Sequence, residues 1–319
     1  MSHFKRSQAK YVKKPYRVRN WPQYEAGLRS RGSLNVWISE DEIGNWQAPS
    51  TGKRRRGGQR KYSNRAIETA LTIGMVFHLP LRQTEGFLAS LFALLRLTAP
   101  VPDHSTISRR SSKLGRSPLC EARGNKPVHI LVDSSGLSIH VGTMRKPPKT
   151  RDWRKIHVAV DALTGEVLAC DLTSKRARDA SRVPSLLAEV ERPVSSFAAD
   201  SAYDTSGVYE AIEYHCVGRS PRVLIPPKRN AQIRPRSPTV RERNRNIRSR
   251  RRLGTRAWYT KSGYSRRNRI ETTFFRYKRI IGPAMRSRRL ATQRVEARLG
   301  VMILNRMAAL GMPDSYLAS

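Results

Sequence analysis

The chain has 319 residues, with 62 Lys and Arg against 24 Asp and Glu, a formal net charge of +38. That imbalance excludes an ordinary metabolic enzyme and calls for a polyanionic partner, either nucleic acid or an anionic membrane surface. At 38% hydrophobic the composition is lean, but a chain this long can still bury one or two cores, which excludes full disorder. Cys120, Cys170 and Cys216 are widely spaced and never form a C-x-x-C pair. This excludes a disulfide scaffold or zinc ribbon and fits a reducing cytoplasm. Met1 to Asn20 carries seven cations and no apolar stretch, so no secretory signal is expected. The longest apolar run, Phe87 to Leu95, is too short for a bilayer. Without an anchor, nucleic acid is the favoured polyanion and no membrane partner is expected.

In chain order, a basic tail and a Trp-bearing segment come first. Ser33 to Ile38 alternates like a short strand, and Ser39-Glu40-Asp41-Glu42 reads as a helix N-terminus. Thr51 to Arg65 holds seven cations and no acid and reads as a linker. Ser63 or Asn64 can cap a helix through Ile67, Leu71 and Met75 that Pro80 interrupts. A second helix, about Gln83 to Leu97, is apolar on most faces and is expected to be buried. Asp103 to Arg110 reads as a third, basic helix. The three suit a helix-turn-helix and equally a plain helical bundle.

From His129 the pattern changes to strands. His129 to Asp133 is an apolar run ending in an acid. Ile156 to Asp161, a turn at Ala162 to Gly165, and Glu166 to Leu172 read as a hairpin. Asp179 to Glu191 is helical, Ser195 to Asp200 is another strand ending in an acid, Ser206 to His215 is helical, and Arg222 to Ile225 is a strand. Lys228 to Arg256 then carries twelve cations and one acid, Glu242. Tyr264 to Ile281 and Gln293 to Leu310 are expected helices. The expected domains are 1–61 (tail, Trp segment and linker), 62–125 (helical) and 126–319 (α/β), with a basic insertion at 228–262.

Placed on one helix, Tyr264, Arg267, Glu271 and Lys278 share a stripe of about 60° beside an apolar stripe of Ile270, Phe274, Tyr277 and Ile281. Arg267 with Glu271 can be a plain i,i+4 pair. With Asp133 and Asp200 at strand ends, the same acid becomes the third member of a carboxylate set. Three carboxylates can hold two Mg²⁺ or Mn²⁺ ions, which need oxygen ligands and stabilise attacking and leaving oxygens in phosphoryl transfer.

Tyr264-x2-Arg267-x3-Glu271-x6-Lys278 matches the Y-(2)-R-(3)-E-(6)-K signature of bacterial insertion-sequence DDE transposases. Asp133-Ser134-Ser135-Gly136 and Asp200-Ser201-Ala202-Tyr203-Asp204 resemble the first and second aspartate blocks. Trp153 to Asp161 resembles the strand between them. With Asn20-Trp21-Pro22, Arg31-Gly32-Ser33-Leu34 and Gly311-Met312-Pro313, the chain resembles the insertion sequence five family over nearly its whole length. The resemblance implies an RNase H-like α/β catalytic domain behind a helical N-terminal DNA-binding region. By it, Asp133, Asp200 and Glu271 are the metal-binding catalytic triad, and Tyr264, Arg267 and Lys278 contact DNA at the transposon end. It also implies binding of terminal inverted repeats, strand transfer to target DNA, a homo-oligomeric synaptic complex, and a place at the bacterial nucleoid. Ser201 departs from the glycine usual after the second aspartate, so the local turn is expected to differ.

Other residues have simpler expected roles. Asp161 is a turn residue, Asp204 an N-cap, and His157 a packed strand residue. His215-Cys216 is helix-end packing, and Trp21, Trp37 and Trp46 are core or interface aromatics. The insertion is expected to follow DNA phosphates through Arg248, Arg250, Arg251 and Arg252. A catalytically silent basic binder and a nuclease without strand transfer remain as rival readings.

Overall fold

The structure is a computed structural model that describes residues 16–49, 59–115, 119, 126–139, 152–233 and 240–318. Expected features in 50–58, Cys120 and the basic tail before residue 16 lie outside the described residues.

The N-terminal part is helical. Helices α1 (Trp21–Ser30), α2 (Leu34–Trp37) and α3 (Glu40–Gly44) precede α4 (Asn64–Val76), α5 (Leu81–Leu94) and α6 (His104–Ser111). Three starts are capped as their residues dictate. Ser39 and Glu42 form a complete capping box on α3, Ser63 accepts from the Ala66 amide on α4, and Asp103 accepts from the Thr106 amide on α6. Ser33 to Ile38 is not a strand but contains α2. The segment is too short for alternation to decide its period, and Trp37 fixes the outcome: its ring is fully buried and its Nε1 donates to the Arg31 carbonyl at 2.8 Å. Trp46 is likewise buried and donates to Pro100 O at 2.7 Å, whereas Trp21 is 52% exposed, unlike a core aromatic. The second long helix is also less buried than expected. Leu88, Leu91 and Phe92 reach the core, but Leu94 is 82% exposed.

The second part is built on a sheet. Strands β2 (Val128–Ile139), β3 (Trp153–Asp161), β4 (Val167–Ser174), β5 (Val194–Ala198) and β6 (Arg222–Leu224) lie in the order β4-β3-β2-β5-β6. The first three form an antiparallel meander, and β5 and β6 join parallel to β2. Strand order 3-2-1-4-5 with only the second strand reversed is the RNase H-like arrangement. Asp161 terminates β3 as a turn residue, accepting from the Leu163 and Thr164 amides, and Gly165 takes φ 74°.

Each face of the sheet is covered. One carries the short α7 (Val183–Leu187) and α8 (Ser206–His215), with Val183, Leu186, Val208 and Ile212 packed over Ile130, Val132 and Phe197. The other carries α10 (Asn268–Ile280) and α11 (Leu290–Ala309), with Ile270, Tyr277, Ala297, Val301 and Leu304 over Leu131, Val158 and Ala198. The two helices approach so closely that a Cβ on Gly300 would lie 2.8 Å from the Tyr277 ring. Helix α11 also places Ile303 and Met307 in the core of the N-terminal helices, so one helix seals both parts.

The three motif segments remote from the carboxylates meet at the ends of the chain. Asn20 donates from Nδ2 to Met312 O and accepts from the Asp314 amide, and Arg31 donates to Gly311 O. There β1 (Tyr16–Val18) pairs antiparallel with β8 (Ser315–Leu317). A two-residue strand β7 (Ala284–Met285) pairs with the far end of β2.

The basic insertion is mainly helical. Helix α9 (Arg241–Ser262) is broken at Gly254, whose φ of 75° and ψ of 164° interrupt the helix. Its first half lies along edge strand β6. Asn246 Nδ2 donates to Val223 O at 2.8 Å, and Glu242 accepts from the Val223 amide at 3.3 Å, so the sheet edge is covered.

Candidate active site

The register of the parallel pair β2–β5 builds the site. The last pair is Leu131 with Ala198. Asp133 and Asp200 each lie two residues further on, so the alternation of strand side chains aims both carboxylates toward the face that holds Leu131 and Ala198. That is the face on which Ile270 of α10 is buried, and Glu271 follows it directly. Strand β2 does not end at Asp133 as expected but runs on to Ile139, so Asp133 is a mid-strand residue paired with Val158, whereas Asp200 follows the end of β5. The shared register still brings both acids to one pole, with the helix supplying Glu271 at its rim.

Each aspartate uses one oxygen locally. Asp133 Oδ1 accepts from the Ser134 amide at 2.8 Å, and Asp200 Oδ1 accepts from the Ala202 amide at 2.8 Å, opening a 3-10 turn over Ser201–Tyr203. Ser201 does not need a left-handed backbone, because His78 and Arg96 are the described non-glycine residues with positive φ. The turn after Asp200 is therefore made without the positive φ that a serine would resist.

Arg267 lies between the acids. Its Nη2 is 2.5 Å from Asp133 Oδ2, and its Nη1 is 3.7 Å from Glu271 Oε1. Burial pushes the Asp133 carboxyl above its usual value, the Arg267 charge partly offsets this, and Asp200 adds to the rise. Among the described residues, no three His, Cys, Asp or Glu side chains are gathered closely enough to hold a metal ion; the positive charge at the pole is Arg267. The donor chemistry still fits a hard divalent cation. Carboxylate oxygens are its preferred ligands, and Asp133 and Asp200 lie near enough for the Asp200 charge to act on Asp133.

The signature residues are not one straight helical stripe. Gly263, at φ 76°, and a 3-10 turn over Tyr264–Arg267 precede α10. The apolar stripe holds, with Ile270 and Tyr277 buried and Phe274 and Ile281 packed on the same cluster. Tyr264 stacks on Tyr259 at 4.9 Å and lies 5.6 Å from Trp258, and burial pushes its phenol up to about 12. Lys278 is half-buried on α10.

The four arginines of the insertion divide into two pairs. Arg250 donates to Pro227 O at 2.5 Å and Arg251 to Ala231 O at 3.2 Å. Arg248 and Arg252 instead line a cavity of about 370 Å³ with Arg222, Arg245, Lys261 and Trp258.

Asp204 departs from its expected N-cap role. It is fully buried, pairs with Arg243 Nε at 2.9 Å, and accepts from Tyr209 Oη and the Lys228 amide. Helix α8 is instead preceded by Thr205, whose side chain makes no capping bond. Arg243 lies within the basic run, and no local pattern separates it from its neighbours. His157 is packed as expected, with Nε2 2.8 Å from Thr173 Oγ1. Asp179, which pairs with Lys155 at 2.8 Å, was not singled out in the sequence, and neither was the hydroxyl of Tyr203. That hydroxyl is buried without a hydrogen-bond partner among the described residues and lies in the field of Asp133, Asp179 and Asp200.

Comparison with known proteins places these elements in a family. A solved structure titled "Drosophila P element transposase strand transfer complex" aligns over 88% of this chain and 85% of that one, at 11% identity and a TM-score of 0.30. A likeness that distant carries no assignment. Two family profiles described as "Transposase DDE domain" match, one over residues 29–142 and the other over residues 124–306. Domains of this kind depend on divalent metal. The second match spans more than half of the sequence and contains Asp133, Asp200 and Glu271, and the chain belongs to the DDE transposases.

Proposed function

We propose that this protein is the transposase of an insertion sequence, of the insertion sequence five type, with Asp133, Asp200 and Glu271 as its catalytic acids. The observation that carries the reading is the register that aims Asp133 and Asp200 to one face beside Glu271. These three would hold Mg²⁺ or Mn²⁺, two ions in the working site. The bound cations would supply the charge that stabilises the attacking and leaving oxygens.

The chain's own residues bind and orient the DNA. Tyr264 and Arg267, in the field of Asp133 and Asp200, would hold the element end together with Lys278, about two turns beyond Glu271 on α10, and Arg248 and Arg252 would extend that contact along α9. Arg250 and Arg251, although expected as DNA contacts, spend donors on backbone carbonyls and act mainly by shaping the segment. Helices α4 to α6 contribute recognition of the terminal inverted repeats. In the first step water adds to the phosphodiester at the element end, and the 3′ oxygen leaves as a hydroxyl. In the second, that hydroxyl attacks a target phosphodiester and displaces its 3′ oxygen, so the number of phosphodiester bonds is conserved. No side-chain nucleophile takes part. Synapsis of two ends by a homo-oligomer, at the bacterial nucleoid, completes the reading.

Incubation with element-end DNA and Mg²⁺ tests it. The expected products are free 3′ ends and joined molecules, both lost in Asp133→Ala, Asp200→Ala and Glu271→Ala. Cleavage without joining would indicate a nuclease, and binding without cleavage a silent binder. Undiminished activity in the three variants contradicts the assignment of the acids.

A further inference from the structure

The Arg267–Asp133 pair occupies the carboxylate oxygen that a catalytic cation would need. Asp133 Oδ1 is held by the Ser134 amide. Asp133 Oδ2 is held by Arg267 Nη2 at 2.5 Å. Both side chains are largely shielded, at 18% and 17% exposure. A guanidinium and a divalent cation cannot share this oxygen, because like charges a few ångströms apart in a partly desolvated site repel strongly.

The arginine is nevertheless incompletely satisfied. Its Nε is buried without a partner among the described residues, and its second contact, to the 65% exposed Glu271, is 3.7 Å long. It also lies in a 3-10 turn that follows left-handed Gly263, not within the regular part of α10. A side chain with an unused donor and a loose second partner, carried on a turn with poorer hydrogen-bond geometry than a regular helix, is suited to changing partners.

We infer that Arg267 is a positioning residue that serves as the counter-cation of Asp133 in the DNA-free protein and exchanges that carboxylate for a DNA phosphate. Divalent-cation binding at Asp133 is thereby coupled to DNA binding. Without DNA the guanidinium competes for Asp133 Oδ2, and the apparent cation affinity falls by the fraction of molecules in which the pair is open. With DNA the planar guanidinium fork gains a phosphate of matching geometry, and the oxygen is released. The result is a site that gathers its cations more readily on its substrate than off it. The DNA arm of this inference rests on the proposed function, whereas the DNA-free arm does not.

The test is Mn²⁺ binding by the full chain, followed by electron paramagnetic resonance, with and without a short duplex taken from the DNA flanking the gene. The expected result without DNA is Mn²⁺ binding about tenfold tighter in Arg267→Gln than in the wild type, for a pair closed about nine-tenths of the time. DNA should tighten Mn²⁺ binding in the wild type by a larger factor than in Arg267→Gln. If Arg267→Gln does not fold, Arg267→Met carries the same comparison, because it keeps the long side chain and removes the charge, and it should also bind Mn²⁺ more tightly than the wild type without DNA. Equal or weaker DNA-free affinity in the variant overturns the inference, as does an equal enhancement by DNA. A wild type that fails to bind DNA at all counts against the proposed function, and the DNA-free comparison still decides whether Arg267 competes for the site.

Discussion

Asp204 with Arg243 and Asp133 with Arg267 are the same two functional groups in different surroundings. Asp204 is fully buried and satisfied by Arg243, Tyr209 and the Lys228 backbone, and its arginine also donates to Gln232 O at 2.9 Å. That pair ties α9 to the turn after β5. The Asp133 pair lies where β5 ends and β2 runs on past it, with an Nε unpaired among the described residues and a second, exposed acid at 3.7 Å. The contrast teaches that closure of the hydrogen-bond set distinguishes a structural pair from a working one. Sequence spacing does not, since Asp200 and Asp204 are four residues apart on the same short segment.

The largest effect expected from this contrast is on catalysis. Asp200→Ala should lower end cleavage on the order of 10³-fold, the value of several kcal/mol of lost charge stabilisation, and leave the unfolding midpoint nearly unchanged. Asp204→Ala should do the reverse to the fold. It leaves Arg243 buried and uncompensated, and a cost of about 3–5 kcal/mol should appear in urea unfolding. A stable Asp204→Ala protein would erase the distinction between the two pairs.

His157 sharpens the comparison on the opposite face of the sheet. Burial pulls its imidazole down to about 4, and Asp179 partly counters this. The unfolded chain takes up this proton below about pH 6.5 and the folded chain only near 4, so stability is complete above 6.5 and lost as pH falls. Up to about 3 kcal/mol should disappear between pH 7 and pH 4, and His157→Gln should lose less over that range. An equal loss in both proteins would place the acid sensitivity elsewhere.

A smaller effect separates the arginines of α9. Replacing Arg248 and Arg252 by Gln should reduce the log–log salt slope of DNA binding by about 2. The same change at Arg250 and Arg251 should move the slope less and lower stability instead. Equal slopes for the two double variants would show that the carbonyl contacts do not restrain Arg250 and Arg251. Smallest is Ser39→Ala, which should cost about 1 kcal/mol through loss of the α3 capping box.

Much of the catalytic half is legible in residue patterns. Short apolar runs ending in Asp133 and Asp200, the hairpin turn at Asp161, and the apolar stripe of α10 each follow from a local period or turn rule. What escapes is decided by distant partners. Ser33 to Ile38 alternates, yet the burial of Trp37 makes it helical. Asp204 precedes a helix as a cap would, but Arg243, 39 residues on, draws it into the interior. The regular helix expected from Tyr264 begins only at Asn268, because left-handed Gly263 is followed by a 3-10 turn over Tyr264–Arg267, although Arg267 still faces Glu271 at 3.7 Å. The arginines of α9 look alike in the sequence and divide only once Pro227 and Ala231 are placed beside them.

The most direct measurement of the central claim maps the products formed on duplex element ends in Mg²⁺ by the wild type, Asp133→Asn, Asp200→Asn and Glu271→Gln. These substitutions keep the shape of each side chain and remove its charge. The wild type should give 3′-hydroxyl ends and joined strands, and the three variants neither product, with DNA binding retained. Full cleavage and joining by any one of the variants would contradict that claim.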